Sequence, residues 1–359
     1  MKKILSFFVA LVCYVSMSFA QTSFVATLSH EGNFTHYYGA GAFTSAYNAS
    51  VNGDIITLSP GTFTFSGSFN KGITVRGAGI DASEKTYISS EMKFYSTDET
   101  MTTTIEGIVF SSSYTYVYND ASGNGQGTLK FIKNRFGEIH AVASNTYSND
   151  RGPIVRMYND IITSSMYFSN TNCHPDFLFY NCYVANPRCY GYNSNSGFIS
   201  IGENTSAFVN CVINWTNTYC SENYYLNYYN CIFNWTYSSY GGSNLNYSLP
   251  STASCFNCLS INKSYLFAYL VSKGNNSTTS SVTDVFKTYT NGFNYGETFE
   301  LADDAKEKYI GTDGTPIGMQ GGKYPYTSTV QYPIITKFTS EPNTTKEGKL
   351  TIDVEVDGK

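Results

Sequence analysis

The sequence predicts an all-β protein folded as a right-handed parallel β-helix, which is a solenoid of stacked coils. A short pattern of bulky and apolar residues recurs around an Asn or Gly at positions 77, 107, 134, 159, 181, 210, 230 and 257. The spacing averages about 26 residues, and self-similarity at this period is typical of solenoids. Short β-branched and aromatic runs separated by Gly, Asn and Ser indicate strands, and no helical pattern alternates with them. A leucine-rich horseshoe or a helical array is therefore excluded.

Residues 1–20 predict a secretory signal peptide. A short positive start precedes an almost continuously apolar run over residues 4–17, and Ser18-Phe19-Ala20 offers a cleavage site before Gln21. The apolar run is shorter than the roughly 18–20 residues that span a bilayer. We therefore expect an exported chain with no transmembrane segment after cleavage, and a location that is secreted, periplasmic or on the outer cell surface.

The composition of the remaining chain fits a β-rich extracellular scaffold. Only 14% of residues are charged and 42% are hydrophobic, which is enough to fill a core. Two of the 22 basic residues leave with the signal, which brings the net charge from −5 to about −7. No run of Lys or Arg suggests phosphate-backbone binding, so we expect no nucleic-acid partner. We expect a monomer.

Residues 38–51 predict a short capping helix that covers the first coil, whose core and backbone groups would otherwise be exposed. Together with the coils at residues 53–63 and 71–79, this segment resembles the N-terminal part of the pectate-lyase-like β-helix superfamily. Residues 311–322 resemble the closing motif of many exported β-helix proteins. The resemblance covers most of the mature chain and implies the fold, but it does not define an activity.

The repeated Asn predicts a left-handed turn residue whose amide bonds the equivalent amide one coil away. In four coils a cysteine follows it, which predicts an inward row of buried thiols at Cys182, Cys211, Cys231 and Cys258. Disulfides and a metal site are the alternatives for this row. Three cysteines off the row are better disulfide candidates: Cys173, Cys189 and Cys220.

The coil around Asn134 departs from the pattern. Arg135 falls where the cysteines sit, and Phe136 comes one residue early. Either this coil is one residue shorter, or Arg135 and Asp160 form an inward ion pair. A buried ion pair is costly, so we favour the shorter coil.

Residues 150–156 carry the first enzymatic hypothesis. The segment matches the Arg-x-Pro-x-x-Arg pattern of one pectate lyase family, and the resemblance would make Arg151 or Arg156 the base that removes a proton alpha to a uronate carboxylate. Calcium would neutralise the uronate, with Asp150, Asp160 and Asp176 as the nearest candidate ligands. The pattern is short, and the family's Trp-x-Asp-His-type motif is missing. A surface role for the arginines is therefore the favoured interpretation.

Histidines offer little further chemistry in the sequence. His174 and Asp176 are close enough to form an acid–base pair, although a local turn contact is more common. The surroundings of His140 predict no acidic or nucleophilic partner. A glycosidase would need two facing carboxylates, which one sequence cannot pair across coils.

Aromatic residues carry the binding hypothesis. Trp215 and Trp235 occupy the same place in consecutive coils, so they should lie about one strand spacing (~4.8 Å) apart. With Tyr237 they would offer rings to the apolar faces of sugars. The alternative is that the rings pack on each other and shield the coil edges.

The C-terminal residues 324–359 predict a linker followed by a β-hairpin, after a solenoid and cap over residues 21–323. Residues 334–338 and 350–356 alternate as two strands around a polar turn. The sequence as a whole predicts a secreted or cell-surface glycan-binding protein. The alternatives are a calcium-dependent, pectate-type lyase or other glycan-degrading enzyme, and a structural or adhesin-like surface protein.

Overall fold

The computed structural model describes residues 24–357 except 82, 97, 113, 120–126, 144–150, 170–173, 191–206, 216–226, 236–248, 250–252, 263–265, 269, 271, 328–333 and 341–351. The described residues form a parallel β-solenoid built from two large sheets, so the predicted all-β solenoid fold is confirmed. Helix in this part of the chain is confined to α1 (Ala42–Ala49) and α2 (Asp303–Lys308). The signal segment lies outside the described residues.

Within the described residues, the first sheet contains 12 strands, of which all but the first two pair in parallel from one coil to the next. In chain order it is formed by β1 (Val25–His30), β2 (Asn33–Tyr38), β3 (Ile55–Leu58), β5 (Thr74–Arg76), β8 (Thr102–Glu106), β11 (Thr128–Ile132), β13 (Arg151–Tyr158), β15 (His174–Tyr180), β18 (Ala207–Val209), β20 (Asn227–Tyr229), β22 (Ser254–Phe256) and β24 (Ser272–Gly274).

The second sheet contains 13 strands in the part of the chain that the structure describes. Its main path is formed by β4 (Gly61–Phe63), β6 (Thr86–Ile88), β9 (Val109–Phe110), β12 (Arg135–Ala143), β14 (Ile161–Ser169), β16 (Tyr183–Ala185), β19 (Val212–Trp215), β21 (Ile232–Trp235), β23 (Leu259–Ile261) and β25 (Ser277–Thr279).

A side branch leaves this path where β12 and β14 are unusually long. A register shift between Phe136 and Glu138 bends the β12–β14 pair. The later half of β12 then pairs with β10 (Tyr114–Asn119), which in turn pairs with β7 (Met92–Ser96). The later half of β14 pairs with β17 (Pro187–Tyr190). We call this branch the side sheet, and it consists of β7, β10, residues 138–143, residues 165–169 and β17.

Both ends of the solenoid carry additional elements. The predicted capping helix is confirmed as α1, which buries Phe43 and Tyr47 against Phe65 and Phe69 at the N-terminal end of the core. The pair β1–β2 extends the first sheet antiparallel to β3, a hairpin that the sequence analysis did not predict. The predicted C-terminal hairpin is confirmed as β26 (Ile334–Ser340) paired with β27 (Ile352–Asp357).

The predicted thiol row is confirmed in the core. Its four cysteines are buried and free, as is Cys255. Sulfur atoms in the row reach back to the preceding coil: Cys231 Sγ lies 3.2 Å from the carbonyl of Phe208, and Cys258 Sγ lies 3.5 Å from that of Tyr228. Cys173, Cys220 and the side chain of Cys189 lie outside the described residues.

The turn between the two sheets is made by one left-handed residue in each coil. From Asn159 to Asn257 these residues are the predicted asparagines, with φ of 53–57°. In the coil before them the left-handed residue is Lys133 (φ 54°), so placing the repeat at Asn134 was wrong by one position. Lys133, Asn159, Asn181, Asn210, Asn230 and Asn257 together form what we call the turn ladder.

This one-residue correction removes the irregularity around Asn134. The side chain that points into the core before this turn is that of Phe131, not that of Ile132. After the turn, Phe136 pairs with Ile162 of the next coil, so the two core residues are aligned. Arg135 points outward, with its guanidinium 4.8 Å from the Tyr295 ring centre. It makes no ion pair with the interior Asp160, which is aligned with Asn134 rather than with Arg135.

Residues 282–327 form a strap on the outside of the second sheet. They bury a second apolar core against the outward residues of that sheet, including Phe286, Tyr289, Phe299 and Met319 on the strap and Tyr183 and Ile232 on the sheet. The strap continues across residue 323, where the sequence analysis placed the end of the solenoid. Among the described residues no helix has the length and apolar content that crossing a bilayer requires.

The turn ladder holds the strap in place. Asn257 Nδ2 donates to the carbonyl of Ile310, Asn181 Nδ2 to those of Met319 and Gly321, and Asn159 Nδ2 to that of Tyr324. These amides therefore bond the strap backbone, not the equivalent amide of the next coil as the sequence predicted. The motif at residues 311–322 lies along the ladder and covers it.

Candidate functional site

The outer face of the side sheet presents a row of aromatic rings. Strand β10 alternates, so Thr115 and Val117 point inward while Tyr114, Tyr116 and Tyr118 share the outer face. Tyr95 on β7 stacks on Tyr118 at a ring distance of 4.8 Å with planes 4° apart. On the other side the ring of His140 lies 5.0 Å from Tyr114 and 5.3 Å from Tyr116. We call Tyr95, Tyr114, Tyr116, Tyr118 and His140 the tyrosine face.

A carboxylate borders this face. Glu138 and His140 are two residues apart on β12 and therefore point the same way, with Glu138 Oε2 3.0 Å from His140 Nε2. Ser164 Oγ donates to Glu138 Oε1 at 3.1 Å. The prediction that His140 has no acidic partner was wrong. Glu-x-His within a strand is the sequence signal that would have revealed the pair.

Glu138 also lines a polar cleft of about 420 Å³. The other polar lining groups come from several coils and from the strap: Thr163, Ser164, Asn186, Asn214 and Asn291. Asn186 Nδ2 donates to the Ser164 carbonyl, and Asn214 Oδ1 is buried without a hydrogen-bond partner in the described part of the chain. We call this the amide cleft. Its lining is rich in amide and hydroxyl groups and contains one carboxylate.

Two phenols of the tyrosine face are neutral near physiological pH, because partial burial raises the pKa of Tyr116 and of Tyr118 above the ordinary value for tyrosine. At the edge of the face, Lys93 pairs with Glu91 at 3.2 Å, and this contact raises the pKa of Lys93. The face therefore offers aromatic surface and phenol hydroxyl groups, bordered by the Lys93–Glu91 ion pair and by the Glu138–His140 contact.

The structure does not bring the predicted lyase residues together. Arg156 lies on the outer face of β13, beside Lys130 of the neighbouring strand. Asp160 is fully buried inside the solenoid, where its oxygens accept hydrogen bonds from Asn134 and the Tyr158 N–H. Because the sheet separates the two residues, Asp160 cannot join a surface calcium site with Arg156.

The remaining candidate ligands and catalytic residues lie outside what the structure describes. They are Asp150 and the side chains of Arg151, His174 and Asp176. Within the described residues no group of three His, Cys, Asp or Glu side chains is placed to hold a metal ion.

The two predicted tryptophans pair with each other across neighbouring strands, but the structure describes the side chain of only Trp235. Trp215 and Trp235 are partners in the parallel β19–β21 pair, as the sequence predicted. The Trp235 ring is partly buried and packs against the main core, whereas the side chain of Trp215 and all of Tyr237 lie outside the described residues. Packing against the main core therefore covers part of the Trp235 ring.

In comparisons with known proteins, the chain matches no protein-family model, no curated protein and no solved structure.

Proposed function

We propose that this chain is an exported or cell-surface glycan-binding protein of the pectate-lyase-like β-helix type, and that the tyrosine face with the amide cleft is its binding surface. The observation that carries the proposal is the row of four tyrosines and one histidine on one outer sheet face. Such rings match the apolar faces of pyranose sugars. The amides, hydroxyls and carboxylate of the adjoining cleft are the groups that hydrogen-bond sugar hydroxyls.

The signal-like residues 1–20 support export, and the cap helix with its first coils supports the superfamily assignment. The pectate-type lyase hypothesis has less support because Asp160 is interior and is separated from Arg156. A structural or adhesin-like role would leave the alternating outward-facing tyrosines of β10 without a specific purpose.

Binding to neutral and acidic oligosaccharides, followed by calorimetry on the best ligand, tests this proposal. Removing a stacking ring at a binding hot spot costs about 1–3 kcal/mol. We therefore expect Tyr116→Ala and Tyr118→Ala each to weaken binding about 5- to 150-fold. Tyr229→Ala is the matched control, because Tyr229 stacks on Phe256 on the outer face of the first sheet, at a ring distance of 5.6 Å. It should bind as the wild type does.

Two results would contradict the proposal. One is glycan binding that persists unchanged in both tyrosine-face variants. The other is calcium-dependent formation of unsaturated product that disappears with Arg156→Ala, which would establish the lyase alternative instead.

A further inference from the structure

A second cleft, of about 440 Å³, lies at the Asn159 end of the described strap. It is formed between the outer face of the first sheet and residues 323–327. Its lining includes three lysines, one carboxylate and two phenol rings: Lys130, Lys133, Lys323, Glu106, Tyr158 and Tyr324. We call it the lysine cleft.

The walls of the cleft are preformed. Asn159 holds the strap by donating to the Tyr324 carbonyl and accepting from the Thr327 N–H, each at 2.9 Å. The Tyr324 ring packs edge-on against Tyr158 at 5.2 Å. A pocket of this size is typical of small-molecule sites.

Lys133 is the exception in the turn ladder. The other members of the ladder are asparagines, and several of them bond the strap backbone. Lys133 has the same left-handed backbone, only 7% of its surface is exposed, and it faces the cleft beyond the end of the strap. Burial lowers the pKa of Lys133, opposed by the charge of Glu106. A backbone and an environment that both disfavour lysine suggest a function for this residue.

Positive charge dominates the surroundings. Arg156 lies beside Lys130 on the neighbouring strand, and Glu106 lies beside Arg76 on its other side. The one lining carboxylate therefore has a cation of its own close by. This is a local excess of positive charge on a chain whose net charge is −5.

We propose that the lysine cleft binds a sulfate or phosphate ester group on a sugar-sized ligand. The lining cations are all lysines, which act as separate point charges and suit the several oxygens of a tetrahedral oxyanion. A sulfate or phosphate ester group has three terminal oxygens to share among the three lysines, whereas a carboxylate has two. The rings of Tyr158 and Tyr324 supply the surface on which the ring of the ligand packs.

The site is independent of the proposed tyrosine face, which lies on the side sheet rather than on the first sheet. Each proposal can therefore fail without the other. Tyr116→Ala should leave binding in the lysine cleft unchanged.

Calorimetry at low ionic strength on the full-length protein, with four matched probes, tests the inference. The probes are glucose 6-sulfate, glucose 6-phosphate, glucuronate and glucose. We expect the esters to bind at least about tenfold more tightly than glucuronate or glucose, with added salt weakening ester binding. The tighter of the two esters identifies the group that the site prefers.

Lys133→Asn is the decisive variant, because it restores the residue found at the other ladder positions and should fold. We expect it to reduce ester affinity about tenfold. Lys308→Asn, on exposed α2 at the Asn257 end of the strap, removes the same charge and should have no effect. If Lys133→Asn does not fold, Lys323→Gln on the exposed end of the strap replaces it, with the same expected loss.

Three outcomes would overturn the inference. They are glucuronate binding as tight as that of the esters, glucose binding as tight as that of the esters, and ester affinity unchanged in a folded lysine variant.

Discussion

Asp160 belongs to a column of interior side chains that reach back to the preceding coil. Its Oδ1 accepts from the Asn134 backbone N–H and side-chain amide. Asn134 in turn accepts from the Ile108 N–H and donates to the Ile105 carbonyl. In the following coils the thiols of Cys182, Cys211, Cys231 and Cys258 occupy this column. Asn, Asp and Cys are thus alternative ways of supplying polar atoms to the same buried turn.

The ionisation of Asp160 should make stability depend on pH. Burial raises its pKa well above the usual range, although the hydrogen bonds from Asn134 act in the opposite direction. The folded state therefore favours the neutral form. Its stabilising contribution is present below the unfolded pKa of about 3.9 and is lost as the pH rises toward the folded pKa. We expect the stability of Asp160→Asn relative to the wild type to increase from about pH 4 to about pH 7, as measured by urea unfolding.

Asp98→Asn provides a control of opposite sign. Hydrogen bonds from Thr100 lower the pKa of Asp98, so its contribution is present above the unfolded pKa and is lost as the pH falls through the folded value. The stability of this variant relative to the wild type should not increase over the same pH range. A difference between Asp160→Asn and the wild type that is independent of pH would show that burial does not control the Asp160 carboxyl.

At the scale of elements, the strap depends on the turn ladder. Asn181 Nδ2 donates to the carbonyls of Met319 and Gly321, at 2.9 and 2.7 Å, and the contact is buried. Asn181→Gly removes both bonds while keeping a residue suited to the positive φ. We expect a loss of about 1–3 kcal/mol in unfolding free energy, together with faster hydrogen exchange in residues 311–322.

Asn262→Gly is the matched control. Asn262 also has a positive φ (63°), but it is exposed and lies away from the strap contacts. Its replacement should leave exchange in the strap unchanged. Equal effects of the two variants would show that the backbone conformation matters and the strap contact does not.

Local patterns predicted the elements that repeat or stand next to each other in the chain. The period predicted the stacked strands, and alternation predicted the hairpin that forms β26 and β27. The side sheet was missed because it departs from the period, although alternation of Tyr114, Tyr116 and Tyr118 marks β10. The position of the strap could not be predicted, because its bonds join residues as distant as Asn159 and Tyr324.

At the scale of the whole molecule, the two proposed surfaces differ in chemistry. The side sheet offers rings beside amides, and the first sheet offers lysines beside rings. The sequence predicted Trp215, Trp235 and the two arginines as site residues because each lies in a short, continuous motif. It did not find the lysine cleft, because Lys130, Lys133 and Lys323 come together only when the strap folds back.

The proposed export concerns the whole chain and can be tested directly. The apolar segment before Ala20 predicts cleavage that leaves Gln21 as the first residue. We expect mass spectrometry of the protein from extracellular, periplasmic and membrane fractions to find this N-terminus. Uncleaved protein that begins at Met1 and is confined to the cytosol would contradict export.

The strap also determines the order in which the protein can finish folding. Residues 310–327 are synthesised after every coil whose asparagine they cover, and they bond those coils in reverse order, from Asn257 back to Asn159. Until the strap emerges, Tyr183 and Ile232 lack the strap residues that cover them, among them Tyr289 and Phe299 over Tyr183, although their own coils can already stack. Premature release or translational stalling before residue 282 would thus leave a stacked intermediate with exposed apolar surface, which is a species prone to aggregation.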